Sequence, residues 1–68
     1  MSTTVYLRLA DGRRVRFART PDAVAAQKVR TGVEGWIADG MTLSVANAQG
    51  QIEDVNAKSV VAIELMDE

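Results

Sequence analysis

The side chains in this sequence best suited to chemistry are arginines. Arg8, Arg13, Arg14, Arg16 and Arg19 stand close together near the start, beside the chain's one tyrosine, Tyr6. A guanidinium makes bidentate contacts to phosphate or carboxylate, and an adjacent aromatic ring adds a stacking surface. Such a set binds anions and does not turn them over. The hydroxyls of Ser44 and Ser59 would need an activating base, yet the chain has no His, and only Lys58 adjoins Ser59. Glu53 and Asp54 are neighbours whose side chains leave opposite faces of a strand, and Asp67-Glu68 reads as a loose tail. Neither pair converges enough oxygens for Ca²⁺. With no Cys and no His there is neither a disulfide nor a thiolate- or imidazole-ligated metal. The chain therefore reads as a non-enzyme with no catalytic residue, no metal and no cofactor. Gly32-Val33-Glu34-Gly35 has the spacing of a phosphate-clamping loop, but Glu34 would repel phosphate, so it reads as a feature of a helix end. Trp36 reads as core.

The partner of the arginines is constrained by charge layout. A net charge of -1 conceals a division: through Arg30, seven basic residues face two acids, for +5, and from Thr31 onward one base faces seven acids, for -6. Halves of opposite sign either neutralise each other within a fold or present a basic and an acidic face to partners. A nucleic-acid reader contacting phosphates through Arg8, Arg14 and Arg16 is the alternative. Against it stand a pI near 5.3, 4% aromatic residues, and the acids of the second half, whereas dedicated binders are usually basic. A protein contact fits better, with Glu53, Asp54 and Glu64 as the acidic complement, in the same molecule, a second copy or another protein.

These residues need elements to position them, and the first twenty read as a hairpin. Val5, Leu7 and Leu9 alternate with Tyr6, Arg8 and Ala10, and beyond Asp11-Gly12, Val15 and Phe17 alternate with Arg14 and Arg16. A two-residue turn would place arginines on the apolar face. A three-residue loop, Ala10-Asp11-Gly12, with Gly12 left-handed, instead pairs Leu7 with Val15 and Val5 with Phe17. It sets Arg8 opposite Arg14 and Tyr6 opposite Arg16 on the outer face, with Arg13 and Arg19 at the ends. Like charges facing each other destabilise a strand pair, so the cluster calls for carboxylates.

A helix follows, with Thr20 as N-cap, Pro21 at its first position and Asp22 in its first turn. Ala25, Val29, Val33, Trp36 and Ile37 form its apolar stripe. Gly32 and Gly35 weaken it, which leaves its end open between Thr31 and Gly40, the outer limit. From Met41 the period returns to two: Met41, Leu43 and Val45 point inward, Asn47 to Gly50 turns, and Gln51 to Val55 returns. Pairing Val45 with Ile52 demands a bulge near Glu53-Asp54 to bring Val55 inward. Asn56 to Ser59 turns tightly, and Val61, Ile63 and Leu65 form the inner face of a last strand.

The order ββαβββ predicts a single small α+β domain over residues 1–68, a mostly antiparallel curved sheet with one helix packed on one face. Val5 to Phe17, Pro21 to Ile37, and Gly40-Met41-Thr42-Leu43 with Ser59-Val60-Val61-Ala62-Ile63-Glu64 resemble a loosely defined group of short bacterial proteins of unknown function, common in actinobacteria. The resemblance covers most of the chain, rests on core spacing and turn glycines, and implies a fold. The C-terminal stretch also resembles the second half of an Sm-like barrel, from which the central helix departs. No apolar run approaches the ~20 residues of a membrane span, and Met1-Ser2-Thr3-Thr4 lacks a signal-peptide pattern, so a cytoplasmic location without membrane contact is the expectation. The functional expectation is a self-associating protein-interaction or regulatory module. It uses the hairpin face of Tyr6, Arg8, Arg14, Arg16 and Arg19, together with an edge strand, since a domain this size gains by joining a partner.

Overall fold

Turn chemistry places the first two strands, β1 (Thr3–Leu9) and β2 (Arg14–Thr20), in the computed structural model, which describes residues 2–46 and 49–67. Gly12 takes a positive φ of 91°, its N–H donates to the Leu9 carbonyl at 3.0 Å, and the Leu9 N–H donates to the Arg13 carbonyl at 2.8 Å. These bonds close the three-residue loop expected for a glycine bulge. Leu7 pairs with Val15, Tyr6 with Arg16 and Arg8 with Arg14, as the alternation requires. Val5 does not meet Phe17. A register shift makes Ala18 its partner, because Phe17 is the extra residue of a bulge. The bulge leaves Phe17 half-buried against the core, with its ring edge toward Trp36 at 6.2 Å between centroids.

The helix α1 spans Ala23–Ala38. Its N-cap is Asp22 and not Thr20: the Asp22 carboxylate accepts the Ala25 N–H at 2.8 Å. Thr20 is occupied elsewhere, its hydroxyl donating to the Thr3 carbonyl at 2.6 Å, which ties the end of β2 to the start of β1. Pro21 accordingly precedes the cap. The helix does not end at Thr31. It continues through Gly32 and Gly35, whose cost of about 1 kcal/mol each is opposed by burial of Val33 and partial burial of Ile37 against the sheet. It ends at Ala38, and beyond the cap Gly40 takes a φ of 72°, its N–H donating to the Ile37 carbonyl and the Met41 N–H to the Trp36 carbonyl, both at 3.0 Å. Those two hydrogen bonds are a Schellman stop. Ala26 rather than Ala25 is fully buried, and Trp36 is 43% exposed, so the indole forms a rim and not core.

The second hairpin joins β3 (Thr42–Ala46) to β4 (Ile52–Asn56). Its register is unbroken: Leu43 faces Val55, Val45 faces Glu53 and Ala46 faces Ile52. The bulge expected at Glu53-Asp54 is therefore absent. Val55 is inward by register alone, Glu53 takes the inward place expected of Ile52, and Ile52 is 73% exposed. Of the turn, Asn47 and Ala48 lie outside the described residues, and Gly50 has φ of 78°. A 3₁₀ turn, η1 (Ala57–Ser59), capped by the Asn56 side chain accepting from Lys58 N–H at 2.9 Å, leads to β5 (Val60–Asp67). A second register shift pairs Leu9 with Val60 and Arg8 with Ala62. Val61 is bulged out and 61% exposed, and Val60 packs on the core in its stead. Asp67, expected in a loose tail, lies in β5 and accepts a hydrogen bond from the Thr3 hydroxyl at 2.9 Å, while Glu68 is outside the described residues.

The molecule is thus α+β, with five antiparallel strands in order ββαβββ and one helix on the inner face. The curved sheet is divided into a three-stranded sheet, β2-β1-β5, and a two-stranded one, β3-β4. β3 lies beside β2 without a ladder between them. One core nevertheless bridges the division: Leu7, Leu9 and Val15 meet Leu43, Val45 and Val55 under Val33 of α1. That shared core holds the two sheets at a fixed separation, and the separation shapes the site.

Candidate functional site

The outer face of the three-stranded sheet is a grid set by register. Arg14, Arg8 and Ala62 form one row, Arg16, Tyr6 and Glu64 the next, and Arg19, Thr4 and Met66 the third. Alternation along β1 and β2 therefore brings all five arginine-face residues of the sequence reading, Tyr6, Arg8, Arg14, Arg16 and Arg19, to one surface. The bulge at Phe17 keeps Arg19 on that surface, since without the extra residue the alternation would turn it inward.

The repulsion between Arg8 and Arg14 is relieved from the third strand. Glu64 of β5 lies 3.2 Å from Arg8 Nη2 and 4.0 Å from Arg14 Nη1. Arg14 also lies over the Tyr6 ring, with its guanidinium carbon 4.7 Å from the ring centre. A cation in that position is held by the ring's negative face. Arg19 donates to the Ser2 hydroxyl at 3.2 Å. Arg16 is exposed and, among the described residues, makes no ion pair.

The proposed acidic complement divides three ways. Glu64 neutralises the face itself. Glu53 bonds Arg13 at 2.8 Å, linking β4 to the end of the first hairpin. Asp54 pairs with no arginine among the described residues and instead accepts from the Ser44 hydroxyl at 3.0 Å on the outer face of the other sheet. Arg13 is also held by Asp11 at 2.8 Å, so it is fully committed to structure. The Arg13 backbone N–H and then its side chain hold the Asp11 carboxyl below the usual carboxylate range, and Glu53 and then Asp11 raise the Arg13 guanidinium above its usual value.

Where β2 parts from the tip of the β3–β4 hairpin, a cleft of about 720 Å³ opens. Tyr6, Arg14 and Arg16 form its sheet wall, Ala46 and Gln49 its far side, and the Arg13–Glu53 pair its floor end. No family model, curated protein or solved structure matches this chain. Three guanidinium groups line the cleft against one carboxylate, and that carboxylate is already taken by Arg13. Such a wall attracts anions.

Of the arginine face, Tyr6, Arg14 and Arg16 come together at the cleft, whereas Arg8 and Arg19 remain on the open sheet. Sequence reading did not find Ala46 and Gln49, which no alternation or charge pattern marks. Arg13 was read as one end of the arginine face, and its bridge to Glu53, which joins segments 40 residues apart, was not legible. Among the described residues no three His, Cys, Asp or Glu side chains gather as metal ligands, and no helix is long and apolar enough to cross a membrane.

Proposed function

We propose that this protein is a non-enzymatic interaction module that binds an acidic segment of a partner protein in the cleft between β2 and the β3–β4 hairpin. The observation that carries this reading is Arg16. After Glu64 has taken Arg8 and Arg14, and Asp11 and Glu53 have taken Arg13, Arg16 remains exposed on the cleft wall without an ion pair among the described residues. Arg14, already ordered over the Tyr6 ring, and Arg16 two residues along the same face give a carboxylate two donors, of which only Arg16 must be ordered on binding. Arg14 anchors and Arg16 discriminates. The acids that border the face, Glu53 and Glu64, favour discrete carboxylates over a continuous phosphate backbone, which would approach them closely.

The test is binding of a glutamate-rich peptide by the full chain at low salt, with single- and double-stranded oligonucleotides in parallel. Wild type is expected to bind the peptide, and Arg16→Glu to bind it about tenfold more weakly, the scale of one charge-assisted hydrogen bond. Equal binding by wild type and Arg16→Glu would overturn the assignment. Preference for oligonucleotide, with affinity falling steeply as salt rises, would replace it with the nucleic-acid reading through Arg8, Arg14 and Arg16.

A further inference from the structure

The longest strand of the fold, β5 at eight residues, pairs with β1 on one side only. Its other edge carries no ladder among the described residues. An unpaired edge is a template for another strand, and proteins usually blunt it with Lys, Pro, charge or covering chain. β2 carries arginines at alternate positions and lies beside β3, and β4 is short and carries Glu53 and Asp54. β5 has no Lys and no Pro, and its only charges are Glu64 and the terminal Asp67. From Val60 to Met66 it reads Val-Val-Ala-Ile-Glu-Leu-Met, with one charge and neither Lys nor Pro. The bulge that would ordinarily disrupt such an edge sits at its start and pushes Val61 into solvent.

Along this edge α1 overhangs a groove of about 240 Å³, walled by Ile37, Val60, Val61 and Ile63 below a rim of Arg30 and Glu34. Arg30 and Glu34 pair with each other at 2.9 Å, one helical turn apart. An occupant must offer an extended strand with an apolar inner face and rim charges in the opposite order. A second copy rotated by a two-fold axis offers both.

We infer that β5 joins β5 of a second copy edge to edge, antiparallel about a two-fold axis at Ile63, making one six-stranded sheet with both helices on the same face. The register follows from face and charge. Placing Ile63 against its own counterpart sets Val61 against Leu65 and Ala62 against Glu64, so apolar side chains meet on the inner face. Of the two neighbouring registers that preserve the faces, one would put the two Glu64 carboxylates opposite each other and the other would set Leu65 against Ser59, outside the strand. The same rotation reverses α1, turning the Arg30 end of one rim toward the Glu34 end of the other, so the two rims are complementary in charge. Such a contact is isologous and closed, and it cannot propagate into fibres.

This pairing goes beyond the binding cleft and uses neither Arg14 nor Arg16. Sedimentation equilibrium of the full chain from low micromolar to millimolar concentration tests it. The mass is expected to rise from 7.4 kDa toward twice that value. Val61→Lys, at a side chain already largely exposed, is expected to weaken dimerisation at least tenfold while leaving the far-UV spectrum unchanged, and Ala62→Lys on the other face of the same edge should do likewise. Arg16→Glu should dimerise as wild type, which separates this result from any failure of the cleft. A wild type that stays at monomer mass into the millimolar range, or lysine variants that dimerise as tightly as wild type, would overturn the inference.

Discussion

Replacing Leu7 by alanine is expected to leave much of the population unfolded near physiological temperature. Leu7 is completely buried at the middle of β1, with Val15 on one side and Ile63 on the other, and it belongs to the cluster that joins both sheets to Val33. Truncating such a leucine costs about 2–5 kcal/mol, because the transfer energy is lost and a cavity remains. A chain of this size has a total stability of only about 3–10 kcal/mol. The melting temperature should fall by roughly 8–40 °C, given about 4–8 °C per kcal/mol for a small domain. Thermal denaturation followed by circular dichroism reads the change directly. Ile52→Ala, at a side chain 73% exposed, is the matched comparison and should move the midpoint little. Similar shifts for the two would show that the core is not where these contacts place it.

The second large effect is a pair of opposite sign at two buried threonines. Thr20 is 6% exposed, and its hydroxyl donates to the Thr3 carbonyl at 2.6 Å, with the Asp22 carbonyl oxygen 3.0 Å away. Thr20→Val keeps the shape but strands a buried carbonyl at the junction of β1, β2 and α1, for a loss of about 1–3 kcal/mol. Thr4 is fully buried, and its hydroxyl has no hydrogen-bond partner among the described residues. Thr4→Val removes a desolvated polar group and suits a strand, so it should raise stability by about 1 kcal/mol. Urea denaturation with an unchanged slope would report both changes as stability. If Thr4→Val destabilised as Thr20→Val does, the Thr4 hydroxyl would have to be satisfied by water or by an altered register.

The hairpin was legible because two independent signals agreed there. Gly12 permitted one turn, and only that turn kept Arg14 and Arg16 off the apolar face, so the pairing of Tyr6 with Arg16 and Arg8 with Arg14 followed. The bulges were not legible, since each sits in a pair that period-two reading cannot order: Phe17-Ala18 and Val60-Val61 both offer an acceptable inward side chain. In β4 the apolarity of Ile52 pointed to the wrong face, because the register there follows from the length of the loop and from Leu43 opposite Val55. At the start of α1, Thr20 and Asp22 are both capping types, and the choice was made by a long-range bond from Thr20 to Thr3. Gly32 and Gly35 weigh against a helix locally, and burial of Val33 and Ile37 outweighed them.

The candidate site was half legible for a related reason. Charge and alternation reveal which residues share the arginine face, and Glu64 as their carboxylate. The cleft itself forms where β2 and β3 part without a ladder, between segments distant in sequence, and no local pattern encodes that gap. The same long-range arrangement left Arg16, alone of the three arginines at the cleft, without an ion pair among the described residues.

The central claim is that an acidic segment binds against Tyr6, Arg14 and Arg16. Its most direct measurement is a nitrogen-15 NMR titration of the full chain with a glutamate-rich peptide, following backbone amides and arginine Nε–H groups together. The largest shifts are expected at Arg14, Arg16 and Tyr6, with smaller ones at Ala46 and Gln49, and with the exposed side of α1 silent. Shifts that cluster on α1 or on the free edge of β5, or no shifts at all, would contradict it.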